Sequence, residues 1–129
     1  MKKAAGFPDL LLTRIDVAKE VDIETFQQGP AGKTHKVTIW IVVHDGAPYV
    51  RSVRGKKGRW YRELVARKHG VLHVGTRKVP VRPAAVAEPE LIDQVSAALW
   101  RKYPRSPSLF SMLRLVTLDT TLRLDPTED

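Results

Sequence analysis

The chain has 129 residues, enough for one domain that buries about two thirds of its unfolded surface. It contains no Cys, which excludes a disulfide framework, a thiolate nucleophile and Cys-based zinc or iron–sulfur sites. The longest wholly apolar run, Ile39 to Val43, is far short of the roughly 20 residues of a membrane span, and Pro8 and Asp9 interrupt any signal-peptide core after Lys2 and Lys3. A cytoplasmic protein without a membrane partner is the expectation. Lys and Arg outnumber Asp and Glu 22 to 14, and the excess is focused: residues 31–82 carry +11 and the remainder −3. Such a centre attracts anions, whether cofactor phosphates, nucleic acid or a charged surface.

Residues 1–9 read as a loose tail of a single domain spanning 1–129. Leu10 to Phe26 is ambiguous, with helix formers from Arg14 to Glu20 and an apolar–acidic alternation at Val21 to Glu24 that suggests a short strand. Gln27 to Gly32 has the composition of a loop. The strongest pattern follows: Val37, Ile39, Ile41 and Val43 share one face of a strand, with Thr38, Trp40 and Val42 on the other. His44-Asp45-Gly46-Ala47-Pro48 predicts a hairpin loop, because Asp-Gly supplies positive φ, and Tyr49 to Val53 the returning strand. Arg59 to Lys68 predicts a helix stopped by Gly70, and Val71–Val74 and Val79–Arg82 a second hairpin. Pro89 opens a helix whose stripe of Leu91, Ile92, Val95, Ala98, Leu99 and Lys102 ends at Pro104. A helical turn after Ser108 and a last strand over Leu115–Leu124 complete the chain. Successive hairpins favour a small antiparallel barrel over a doubly wound sheet.

Two basic groups carry the chemistry. Arg51 to Arg62 holds six bases and no acid where a strand gives way to a helix. Backbone donors at a helix start, two glycines, the Ser52 hydroxyl and guanidinium forks suit a phosphate, with Trp60 and Tyr61 as stacking surfaces. The competing reading is a solvated basic loop beside a core tryptophan. Lys33 and Lys36, just before the strong strand, converge on the same anion if the hairpin runs up and back. The four histidines, His35, His44, His69 and His73, show no i, i+4 spacing and no accompanying carboxylate pair, so no metal site is expected. Ser52 and Ser96 lack a nucleophile's context. Asp45 reads as a turn residue and Glu63 as a helix residue, which leaves no catalytic residue to name.

Gly32-Lys33-Thr34-His35-Lys36-Val37-Thr38-Ile39-Trp40, Tyr49-Val50-Arg51-Ser52-Val53-Arg54-Gly55 and Arg59-Trp60-Tyr61 together resemble a bacterial family of uncharacterised proteins in the flavin-binding split-barrel group. That group includes pyridoxamine-phosphate oxidases and deazaflavin-dependent nitroreductases. The likeness runs from about Val21 to Pro126. It implies a mainly β fold with flanking helices, a split barrel of six antiparallel Greek-key strands that forms a homodimer with its cofactor, FMN or a deazaflavin (F420), at the dimer cleft. By position it makes Lys33, Lys36, Arg51, Ser52, Arg54, Lys56, Lys57 and Trp60 the cofactor-binding residues. The activity implied is that of an oxidoreductase of unknown substrate. Two other readings stay open: a non-enzymatic module binding nucleic acid or another anion, with Trp40, Trp60 and Tyr61 as stacking surfaces, and a dimeric interaction module without cofactor.

Overall fold

The computed structural model describes residues 6–27 and 32–127. Most of the expected tail and of the Gln27–Gly32 loop lies outside them. The end of that tail is not loose: Phe7 is buried in the core, and Asp9–Val17 forms helix α1, with Asp9 at its positive end and Leu11 and Ile15 on its buried face. Strand β1 (Val21–Phe26) alternates as expected, with Val21, Ile23 and Thr25 inward.

The segment that reads as one strand over Val37–Val43 is two. β2 (Thr34–Ile39) pairs antiparallel with β1, whereas β3 (Val42–His44) pairs with β4 (Ala47–Val50). Periodicity cannot distinguish a strand from one that changes partners midway, since both alternate. The β3–β4 turn is as expected, with Asp45 and Gly46 at φ 50° and 80°, both left-handed. The returning strand ends early, at Val50 rather than Val53. A short 3₁₀ turn (Gly55–Lys57) then leads into α2 (Arg59–Arg67). This helix is closed by Lys68 in the left-handed region, while Gly70 opens the next strand instead of stopping the helix.

β5 (Gly70–Val74) and β6 (Arg77–Ala85) form the second hairpin, and α3 (Pro89–Lys102) has Pro at its start as predicted. α4 (Leu109–Met112) is the turn expected after Ser108. The alternation over Leu115–Leu124 does not give a single strand. Leu115–Leu118 is a helical turn, α5, and only Leu122–Pro126 is strand β7. The threonines explain the difference. Thr117 Oγ1 donates to the Arg114 carbonyl at 2.7 Å, Thr120 Oγ1 to Thr117 at 2.6 Å and Thr121 Oγ1 to Leu118 at 2.7 Å, so local hydroxyl bonds hold a turn against strand pairing.

The sheet order is β2-β1-β5-β6-β7-β4-β3, antiparallel throughout, with seven strands rather than six. β2 and β3 stand at opposite edges of that order yet are joined through Trp40 and Ile41 alone, a reach of at most about 11 Å between Ile39 and Val42. The sheet must therefore curl until its ends meet, and the extra strand is the break in one long strand that closes the barrel. Ile23, Ile41, Leu64, Leu72, Val81 and Leu124 fill the inside of the curl. A second cluster, with Val42, Tyr49, Val95, Leu99, Tyr103 and Leu109, lies between β3–β4 and α3–α4. The second apolar face of the strong segment is thus covered within the chain: Val42 is buried under α3, and Trp40 stacks on Tyr103 with ring centroids 3.9 Å apart. Among the described residues no helix is long and apolar enough to cross a membrane.

Candidate functional site

A cavity of about 540 Å³ opens between β2, the Arg51–Arg54 turn, the start of α2 and α4. Its volume falls in the range of small-molecule sites. The strand alternation brings His35, Val37 and Ile39 to it, and Trp40, Trp60 and Met112 add apolar wall. The chain reverses tightly at its floor. Ser52 Oγ donates to the Gly55 carbonyl at 2.7 Å, and Gly58 sits so close that a Cβ there would lie 2.5 Å from Ser52 Oγ. This turn delivers the start of α2 to the cavity. Arg62 is the first residue to bond back into the helix, at 3.0 Å to Gly58, and no side chain caps it. The backbone N–H groups at Arg59, Trp60 and Tyr61 precede the first intrahelical bond, as in any helix start.

Of the eight expected binding residues, Arg51, Ser52, Arg54 and Trp60 line the cavity, whereas Lys33, Lys36, Lys56 and Lys57 do not. Lys36 is exposed and registers opposite Glu24, and Lys56 is 3.5 Å from exposed Asp119. Lys33 and Lys36 therefore do not join the Arg51–Arg54 bases at the cavity, which β2 reaches through His35 and Val37 instead. Arg59, absent from the expected set, joins Arg54 on the cavity wall.

Arg51 differs from the exposed arginines. It is 1% exposed, and its guanidinium donates to Thr121 Oγ1 at 2.8 Å, the Met112 carbonyl at 3.1 Å and the Ile92 carbonyl at 2.8 Å. Burial pushes its pKa down to about 10, with Asp93 opposing, so it remains charged at neutral pH. These bonds tie the end of β4 to α3, α4 and the approach to β7. Arg51 is a strut beneath the cavity before it is anything else.

The residue pair that spacing missed is His35 with Glu63. Nδ1 of His35 lies 3.0 Å from Glu63 Oε1, which also accepts from buried Thr25 Oγ1 at 2.8 Å. Burial raises the Glu63 pKa, but the hydrogen bonds from His35 and Thr25, and the charge of Arg59, outweigh it and hold the carboxyl below its ordinary value. The residues are 28 apart in sequence, and no local pattern joins them.

The family model described as "Uncharacterized protein conserved in bacteria (DUF2255)" matches residues 11–124. The chain belongs to this family. No curated protein matches the sequence. Solved structures share the fold. HutZ, a heme storage protein from Vibrio cholerae, is 13% identical with a TM-score of 0.69, covering 97% of this chain and 93% of its own. A proposed 5-nitroimidazole antibiotic resistance protein from Bacteroides thetaiotaomicron is 11% identical with a TM-score of 0.64, covering 95% and 81%. A proposed pyridoxamine 5′-phosphate oxidase from Listeria innocua is 14% identical with a TM-score of 0.59, covering 94% and 93%. The DUF2255 chain is accordingly a split barrel, and the likeness to these proteins is one of fold.

Proposed function

We propose that this DUF2255 chain binds a flavin or deazaflavin, FMN or F420, in the cavity and is an oxidoreductase acting on a small molecule. The observation that carries the reading is the donor set. Arg54, Arg59 and the uncapped start of α2 line a cavity whose walls also include Trp40 and Trp60, the donors and apolar rings that an anionic tail with a planar ring requires. Gly58 lets the turn close against Ser52, where a Cβ would lie 2.5 Å from Oγ, and so sets the start of α2 at the cavity. When bound, such a group supplies the hydride or electron chemistry. The protein's part is to hold the tail with Arg54 and Arg59, to orient the ring against Trp60, and to keep water from one face of it. The names of the Listeria and Bacteroides structures are consistent with this reading.

A homodimer belongs to the same reading. Phe110, Leu115 and Val116 are 67%, 83% and 54% exposed on α4 and α5, beside the cavity's Met112 wall, and a second copy would cover them. A structural neighbour described as a domain-swapped dimer, 17% identical, supports it. Sedimentation at micromolar concentration tests it, and a species of 14.5 kDa alone would count against it.

The four lysines outside the cavity favour a second reading, an anion-binding module for nucleic acid. One measurement separates the two: the absorbance of the purified protein near about 450 or about 420 nm, against nucleic acid near about 260 nm, with mass spectrometry of whatever is released on denaturation. A flavin or deazaflavin mass supports the first reading, and nucleic acid alone the second.

A further inference from the structure

We propose that His35, held by Glu63, is the proton-accepting residue of the cavity and takes a proton from an acidic ring hydroxyl on the planar ligand bound there. The proposal rests on the cofactor reading above. It starts from hydrogen bonding. Glu63 carries the charge of a carboxylate and accepts from Thr25 and from Nδ1 of His35 through the same oxygen, Oε1. A carboxylate is an acceptor only, so Nδ1 bears the hydrogen and the lone pair of the neutral ring is on Nε2. Nε2 has no hydrogen-bond partner among the described residues, and His35 lines the cavity with its side chain 24% exposed. The other histidines are placed differently. His44 and His73 engage Gln94 and Glu24 through Nε2, and His69 stacks on Phe26.

This is the arrangement of a general base: one ring nitrogen anchored to a fixed carboxylate, the other unbonded among the described residues, on a side chain that lines the cavity. The charged groups around it are of both signs. Glu63 and Arg59 face it from α2, Arg54 and Glu20 stand on the cavity wall, and β1 presents the neutral Thr25 directly opposite it. In the step, the O–H bond of the ligand breaks, its electron pair stays on the oxygen, and the proton forms Nε2–H. No electron moves at His35, and the imidazolium that forms is held beside the Glu63 carboxylate, 3.0 Å from Nδ1. Glu63 acts through His35 and is a positioning residue.

The test uses F420, whose ring carries an ionisable hydroxyl, and FMN, whose ring offers no comparably acidic group. Absorbance of bound F420 is followed against pH in the parent, His35→Gln and Glu63→Gln. The ionisation midpoint of the bound ring is expected to rise by about one pH unit or more in His35→Gln, a tenfold change in the equilibrium. Glu63→Gln should raise the midpoint part-way, since its amide also donates and frees the tautomer. An equal midpoint in parent and His35→Gln overturns the role of His35 and leaves the cofactor reading standing. An equal midpoint in parent and Glu63→Gln overturns the positioning role. Binding of FMN but not F420 by the parent overturns the inference while sustaining the cofactor reading, and binding of neither overturns both.

Discussion

Arg51 and Thr121, 70 residues apart in the chain, meet inside the protein at 2.8 Å from Nε to Oγ1. The bond couples the end of β4 to the turn before β7, the two strands that pair through Tyr49 and Val50. Because the guanidinium also donates to the Met112 and Ile92 carbonyls, Arg51→Ala removes three hydrogen bonds at once and leaves a void. A loss of about 2–4 kcal/mol is expected. Arg54→Ala, on the exposed side of the same turn, should change stability by no more than about 0.5 kcal/mol. Urea denaturation of both variants reads the difference, and equal midpoints would remove the strut.

Ligand affinity should sort these arginines the other way. Arg54→Ala and Arg59→Ala are each expected to weaken FMN or F420 binding by about tenfold or more, as loss of a charge-assisted phosphate contact does. Lys33→Ala and Lys56→Ala, outside the cavity, should leave it within about twofold. Titration by fluorescence checks this. If the lysine variants lose the ligand and the arginine variants keep it, the binding site is elsewhere.

Salt provides an independent measure. A ligand held by a few groups in a cavity loses little affinity between about 50 and about 200 mM salt, whereas nucleic acid contacted by six to ten bases loses about 10³–10⁵-fold. The expected outcome is a shallow slope for the tightest ligand. A steep slope, with no flavin or deazaflavin absorbance after reconstitution, would favour the nucleic-acid reading.

Gly58→Ala tests the floor of the cavity. The added Cβ would meet Ser52 Oγ at 2.5 Å, and that hydroxyl is held by the Gly55 carbonyl and cannot turn away freely. A cost of about 1–3 kcal/mol is expected. The Ser52→Gly, Gly58→Ala double variant should recover part of it, because the obstructing atom is gone. Thermal denaturation of the single and double variants decides, and no recovery would place the strain elsewhere.

Glu63 gives the acid limb of stability. Its carboxyl is held below the ordinary value of 4.5 in the folded chain, against the opposing effect of burial, by His35 and Thr25. Its contribution is therefore complete above the unfolded-chain value and is lost as pH falls through the lower folded value. The parent should exceed Glu63→Gln in stability near neutrality, and the gap should close under acid conditions. Acid titration at fixed urea follows this, and a gap independent of pH would mean that the ionised form is not what Thr25 and His35 stabilise.

The sequence by itself determined the parts that are local. The Asp45-Gly46 hairpin, the second hairpin, the start of α3 at Pro89 and the basic Arg51–Arg62 segment follow from residues close together, because turn geometry and periodicity act over a few positions. The resemblance carried by Tyr49 to Gly55 and Trp60 likewise indicated a split barrel. Tertiary structure decided the rest. Whether Val37–Val43 is one strand or two depends on partners at both ends of the sheet order, and Leu115–Leu118 turns because three threonine hydroxyls close on carbonyls where alternation alone suggests a strand. Arg51 reads in sequence as one of the cofactor-binding bases, but α3, α4 and the turn before β7 surround it and take its donors for the fold. Glu63 reads as an ordinary helix residue until α2 lies against β1 and β2, where Thr25 and His35 converge on its carboxylate. Hydrogen bonds between residues far apart in the chain leave no periodic trace, so only folding shows which charges face the cavity and which hold it up.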